Sequence, residues 1–93
     1  MRRNVRNQFE IRMCVLQVLH ESTHENRINL ARKIGLNYNT ADIIFDDMVA
    51  NDLIMIVTGV NKKGANYCIS SLGVKTYKLA VEAYENAGMI LVK

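Results

Sequence analysis

Proline is absent from the chain, and glycine occurs only five times in 93 residues. No stretch is low in complexity, so a Pro-rich ligand, a collagen-like repeat and a flexible linker are excluded. No apolar run approaches the roughly 18–20 residues that span a bilayer. The start, Met1-Arg2-Arg3-Asn4-Val5-Arg6, is basic, but Glu10 and Arg12 interrupt the next stretch, and the apolar segment of a signal peptide is missing. The expectation is a soluble, cytoplasmic protein with no membrane partner. Two cysteines, Cys14 and Cys68, are too few for a disulfide framework and have no C-x-x-C spacing. Both sit in apolar surroundings and read as small buried hydrophobes, with a bridge from the first helix to a strand as the alternative. No P-loop, dinucleotide glycine pattern or serine elbow occurs, and Ser22, Ser70 and Ser71 have no triad partners. Neither enzymatic chemistry nor a cofactor is expected.

What is there suits one small domain. Hydrophobic residues make up 49% and charged residues 23%, enough for a real core. A chain this short buries a modest fraction of its surface, so support from a partner subunit is expected. The net charge of +3 is unevenly distributed. Residues 1–33 hold seven Arg/Lys and three Glu, a net of +4. Residues 34–56 hold four Asp and no Arg or Lys, and residues 57–93 hold five Lys and two Glu. Two basic ends flank an acidic middle, and a basic surplus suits a polyanionic partner.

Periodicity gives the order of elements. Residues 8–20 read as a helix whose Phe9, Ile11, Val15, Leu16, Val18 and Leu19 cover much of its circumference. An arc that wide predicts burial on more than one side, against the domain core and against a second subunit. His20 to Asn26 is polar and reads as a turn. A short helix comes next, from about Arg27 to Ile34, with Ile28, Leu30, Ala31 and Ile34 inward. Gly35 then supplies the left-handed residue that a helix C-terminus favours. Asn37 or Asn39 caps a third helix running to about Asn51, with Ala41, Ile44, Phe45, Met48 and Val49 as its apolar stripe. Leu53 to Thr58 and Asn66 to Ser70 read as two strands of a hairpin around the loop Gly59 to Gly64. Ser71 is the expected cap of a fourth helix to about Ala87. In it Val74, Tyr77, Val81, Tyr84 and Gly88 form a heptad-like seam, and Ala80, Ala83 and Ala87 a row of small residues.

Helix, helix, helix, hairpin, helix is a helix-turn-helix with a wing after it. The expected class is α+β, mostly α: a winged helix-turn-helix with a C-terminal dimerisation helix. The boundaries are 1–7 for a basic arm, 8–70 for the winged-helix domain and 71–93 for the last helix and tail.

Three stretches resemble the winged-helix proteins of archaea and their viruses, above all the small archaeal chromatin-type DNA-binding proteins. Leu36-Asn37-Tyr38 resembles that family's entry into the third helix. Met48 to Ile54 resembles its "L-x-x-x-x-L-I" exit into the first wing strand, and Tyr67-Cys68-Ile69-Ser70-Ser71-Leu72-Gly73 its "Y-x-I-T-x-x-G" step into the last helix. The likeness covers about residues 9–87. It implies a homodimer held by antiparallel pairing of the last helix, and binding of duplex DNA. One departure stands out. The family carries basic or neutral polar residues on the outer face of the third helix, whereas here that face carries Asp42 and Asp46, with Asp47 and Asp52 near. Carboxylates facing phosphates repel, which bears on whether this helix enters a major groove.

Charge and position single out the candidate DNA-binding residues. Lys62 and Lys63 lie at the wing tip, and Arg2, Arg3 and Arg6 form an arm of the kind that enters a minor groove. Arg27, Arg32 and Lys33 lie on or near the second helix, where phosphates pass in this motif. Asn37, Tyr38, Asn39 and Thr40 open the third helix, within reach of base edges or backbone. Val74, Tyr77, Val81 and Tyr84 are the expected dimer interface.

His20-Glu21-Ser22-Thr23-His24 matches H-E-x-x-H, which in metalloproteases holds zinc. The chain has no third histidine, and the stretch falls where the first helix ends, so an exposed helix end is expected and no metal. Two functions remain: a transcriptional regulator or small chromatin-type protein on duplex DNA, and a protein-interaction module whose acidic third helix meets a basic partner.

Overall fold

The computed structural model describes residues 7–57 and 66–88. The candidate residues Arg2, Arg3, Arg6, Lys62 and Lys63, and the residue 89–93 tail, lie outside the described residues.

The elements run α1 (Gln8–Glu21), β1 (Glu25–Asn26), α2 (Arg27–Ile34), α3 (Tyr38–Ala50), β2 (Ile54–Val57), β3 (Asn66–Ile69) and α4 (Ser71–Asn86). This is the winged helix-turn-helix expected from the sequence, with one addition. Glu25–Asn26, expected in a polar turn, pairs antiparallel with β3, so the sheet has three strands in the order β1-β3-β2. The hairpin register places Ile54 opposite Ile69 and Val57 opposite Asn66.

Each helix starts on a short polar side chain that accepts a hydrogen bond from an otherwise orphaned amide. Asn7 accepts from Glu10 N at 2.8 Å, and Glu10 reciprocates toward Asn7 N in a capping box. Asn26 accepts from Asn29 N, and Asn37 from Thr40 N, both at 2.8 Å. Ser70 accepts from Gly73 N at 2.8 Å. Each such cap contributes about 1 kcal/mol. One sequence expectation is thereby corrected: the cap of α4 is Ser70, with Ser71 as its first helical residue. Of the two candidates for α3, Asn37 is the cap. The α2 end is as expected: Gly35 is left-handed (φ 75°), and Leu36 N donates to Ala31 O at 3.0 Å, closing the turn that redirects the chain into α3.

The core lies between α1, α2, α3 and the sheet. Val15, Leu16 and Leu19 of α1 meet Leu30 of α2, Phe45 and Met48 of α3, Ile54 and Tyr67, all buried. The Phe45 and Tyr67 rings meet edge to face with centroids 5.5 Å apart. Ile28, expected inside, is exposed instead. Cys14 is buried and Cys68 half-buried, with no disulfide between them.

The wide apolar arc of α1 is explained within one chain. Its second side packs against α4, where Tyr77 and Ala80 lie on the core. α4 is locked at its root: Ser70 N donates to Leu53 O at 3.2 Å, and Ser70 Oγ donates toward the carbonyls of Asp52 (2.5 Å) and Leu53 (2.9 Å). Gly73 sits so close that a Cβ there would lie 2.1 Å from Leu53 O.

Candidate nucleic-acid interface

The helix-turn-helix presents α3 to solvent along one ridge. Its inner positions, Ala41, Ile44, Phe45 and Met48, are buried. Its outer positions, Asn39, Ile43, Asp46, Asp47 and Ala50, are exposed, with Tyr38 at the helix start. Ile43 is 71% exposed.

The carboxylates on this helix do not stand alone. The Arg27 guanidinium, at the start of α2, bridges two successive turns of α3: it meets Asp42 Oδ1 at 2.6 Å and Asp46 Oδ1 at 3.3 Å. It also donates to the Tyr67 hydroxyl on β3 and lies 5.5 Å from that ring's centroid. On the other flank, Arg12 of α1 meets Asp47 Oδ2 at 2.7 Å. Two arginines from neighbouring helices therefore offset three aspartates, which lessens the repulsion such a face presents to phosphate.

These contacts perturb titration in definable directions. Burial works against the Arg27 charge, but hydrogen bonds to Asp42 and Tyr67 and attraction to both outweigh it, and its pKa is raised. The Tyr67 phenol is also raised, by burial, which outweighs the stabilising Arg27 charge. Tyr77 is raised by burial and by the charge of Glu21.

The remaining expected site residues divide into two groups. Arg27 is turned inward to this network, its side chain 32% exposed. Lys33 Nζ meets Glu25 Oε2 at 2.5 Å, and Asn37 Oδ1 serves as the cap. Arg32, which donates to Asn29 Oδ1 at 3.3 Å, is exposed together with Tyr38 and Asn39, and Thr40 is half-buried. Arg32, Tyr38 and Asn39 thus stay open to a ligand, joined by Ile43. Sequence reasoning misses Ile43; its signal is an apolar residue off the inward stripe of α3. It also misses Arg12, whose role depends on a contact 35 residues away.

The α4 seam packs in part within its own chain. Tyr77 packs against His20 (centroids 5.1 Å) and Tyr84 stacks on Phe9 (6.0 Å, 9° between planes), so both rings face α1 of the same chain. Val74 and Val81 are half-buried beside them. The large apolar residues that α4 leaves exposed are Leu72 and Leu79, seven residues apart. In the H-E-x-x-H stretch, α1 ends at Glu21, so His20 lies on the helix and His24 beyond it. The two imidazoles are not on successive helical turns, which the zinc motif requires. Among the described residues, no three His, Cys, Asp or Glu side chains group as metal ligands. No described helix is long and apolar enough to cross a membrane.

No family model matches the sequence, and no curated protein does. Solved structures do. The transcriptional regulator MosR of Mycobacterium tuberculosis, in complex with DNA, superposes with a TM-score of 0.73 at 18% identity, over 84% of this chain and 56% of that one. The RV1404 protein of the same organism gives 0.73 at 16% identity, over 77% and 50%. Oxidised MarR of E. coli gives 0.68 at 11% identity, over 76% and 51%. The chain spans about half the length of these proteins. What it shares with them is the winged helix-turn-helix fold of MarR-type regulators.

Proposed function

We propose that this chain binds duplex DNA as a homodimer, as a cytoplasmic transcription regulator or a small chromatin-type protein of the archaeal and viral kind. The observation that carries the reading is the outer ridge of α3. It projects from a rigid helix-turn-helix, its core-facing side is fully used, and its carboxylates are tied back by Arg27 and Arg12. Such a ridge fits a major groove, which admits one helix. MosR, of similar fold, is itself in complex with DNA.

Positive charge then comes from around the ridge. Lys62 and Lys63 at the wing tip contact phosphates on one side, Arg32 contacts them at α2, and Arg2, Arg3 and Arg6 track the minor groove. Tyr38 and Asn39 reach base edges or backbone from the start of α3, with Thr40 beside them. Lys33, Arg27 and Asn37 support the motif through their internal contacts. The second copy docks on α4, where Leu72 and Leu79 stay exposed on one face and Val74, Tyr77, Val81 and Tyr84 stay half-buried on the face toward α1. Two-fold symmetry sets the two α3 ridges about one helical turn of DNA apart.

The test is a gel-shift series with random duplex DNA from low to moderate salt. Binding at low salt that weakens with salt, and falls on the double change Lys62→Ala and Lys63→Ala, supports the reading. No binding at low salt overturns it in favour of a protein-docking role for the acidic helix.

A further inference from the structure

The α3 ridge carries chemistry that selects among base pairs. Ile43 is the most exposed large hydrophobic side chain among the described residues. It stands at the middle of the ridge, one turn beyond Asn39, so the two side chains are neighbours on the helix surface. Asn39 is exposed, whereas the Asn37 side chain is occupied by the Thr40 amide. The chain has no Lys or Arg between residues 34 and 56, so α3 lacks the side chains that most often grip guanine O6 and N7. Of the aspartates that flank Ile43 and could accept from cytosine N4, Asp42 and Asp47 are held at 2.6 and 2.7 Å by Arg27 and Arg12, and Asp46, 70% exposed, is held at 3.3 Å by Arg27.

The chemistry left on the ridge matches one base pair. In the major groove the thymine C5-methyl is the apolar group on the base edges, and it is a fit for an isoleucine side chain. Adenine N6 and N7 present the donor and acceptor that an Asn amide matches bidentately. We infer that Asn39 and Ile43 together read A·T pairs from the major groove, Asn39 on adenine and Ile43 on the thymine methyl, and bias the protein toward A·T-rich duplexes. This rests on the reading that α3 enters the major groove of duplex DNA.

Alternating copolymer duplexes, competed against a labelled random duplex at one fixed salt concentration, test it with the whole chain. The dA-dT duplex binds about tenfold or more tightly than the dG-dC duplex, the discrimination expected of a good base contact. The dI-dC duplex has a minor groove like A·T but a major groove like G·C, and it binds like dG-dC. The dA-dU duplex lacks the methyl and binds several-fold more weakly than dA-dT. Ile43→Ala removes the dT-against-dU difference, and Asn39→Ala reduces the preference for dA-dT over dG-dC. Both positions are exposed, and circular dichroism reports whether each variant keeps its helices. Equal binding to dA-dT and dG-dC, dI-dC binding as tightly as dA-dT, or an unchanged dT-to-dU ratio in Ile43→Ala each overturns the assignment while leaving DNA binding intact. No binding to any of the four overturns both.

Discussion

Gly73 is where a single atom matters most. A methyl group there would meet the Leu53 carbonyl oxygen at 2.1 Å and Ile69 Cγ1 at 2.7 Å. The first of these neighbours is backbone, held by hydrogen bonds from Ser70, and has little freedom to retreat. Gly73→Ala is expected to lower stability by about 1–3 kcal/mol, the range of a forced overpacking. Urea denaturation measures it, and an unchanged midpoint would show that α4 can shift off the base of the wing. Tyr67 supplies a second residue-level expectation. Its phenol is buried in the folded chain and its pKa lies above the ordinary value of about 10. A raised folded pKa means that the stabilisation is complete below about pH 10 and is lost as pH rises through the folded value. Tyr77 adds to the effect in the same direction. Thermal melts should therefore decline above about pH 10. Tyr67→Phe should flatten that decline while lowering stability at neutral pH, because Arg27 loses an acceptor.

At the scale of elements, the Arg27 network joins α2, α3 and β3 through one side chain. Its ion pairs are part-exposed, so their share of stability is modest, of order 1 kcal/mol or less each. If α3 meets DNA as proposed, Arg27→Ala leaves Asp42 and Asp46 unbalanced toward the phosphates. We expect Arg27→Ala to weaken duplex binding several-fold, and the further change of Asp42→Asn with Asp46→Asn to restore it. Anisotropy titrations of the single and triple variants decide this; a triple variant as weak as Arg27→Ala would assign the loss to a moved helix instead.

The helical frame is legible in the sequence because its signals are local. The apolar stripe of α3, Gly35 at the end of α2 and the heptad spacing of α4 each involve residues within one or two turns. The two-residue strand β1 is not legible, because Glu25 and Asn26 become a strand only through pairing with Tyr67 and Asn66. The carboxylates on α3 mislead for the same reason: Asp42 lies 15 residues from the arginine that neutralises it. The α4 seam shows the limit of periodicity. Spacing reveals that a face is apolar but not whose helix covers it, and Tyr77 and Tyr84 turn to α1 of their own chain.

For the whole molecule, the exposed Leu72 and Leu79 on α4 and Phe9 on α1 set the expectation for assembly. These side chains are already about half buried, so covering them with a second copy contributes roughly 1 kcal/mol each. Leu79→Glu together with Leu72→Glu should give a folded monomer by sedimentation equilibrium, against a dimer for the unaltered chain. A dimer that survives both changes would place the interface elsewhere. Under the proposed reading, a dimer brings Lys62 and Lys63 to DNA twice. The most direct measurement is the slope of log affinity for a random duplex against log salt concentration. Each neutralised phosphate contributes about −0.9 to that slope, so four wing lysines contribute about −3.6. Lys62→Ala with Lys63→Ala should make the slope shallower by about that amount. A slope near zero in the unaltered chain, or one that the two substitutions leave unchanged, would contradict the account.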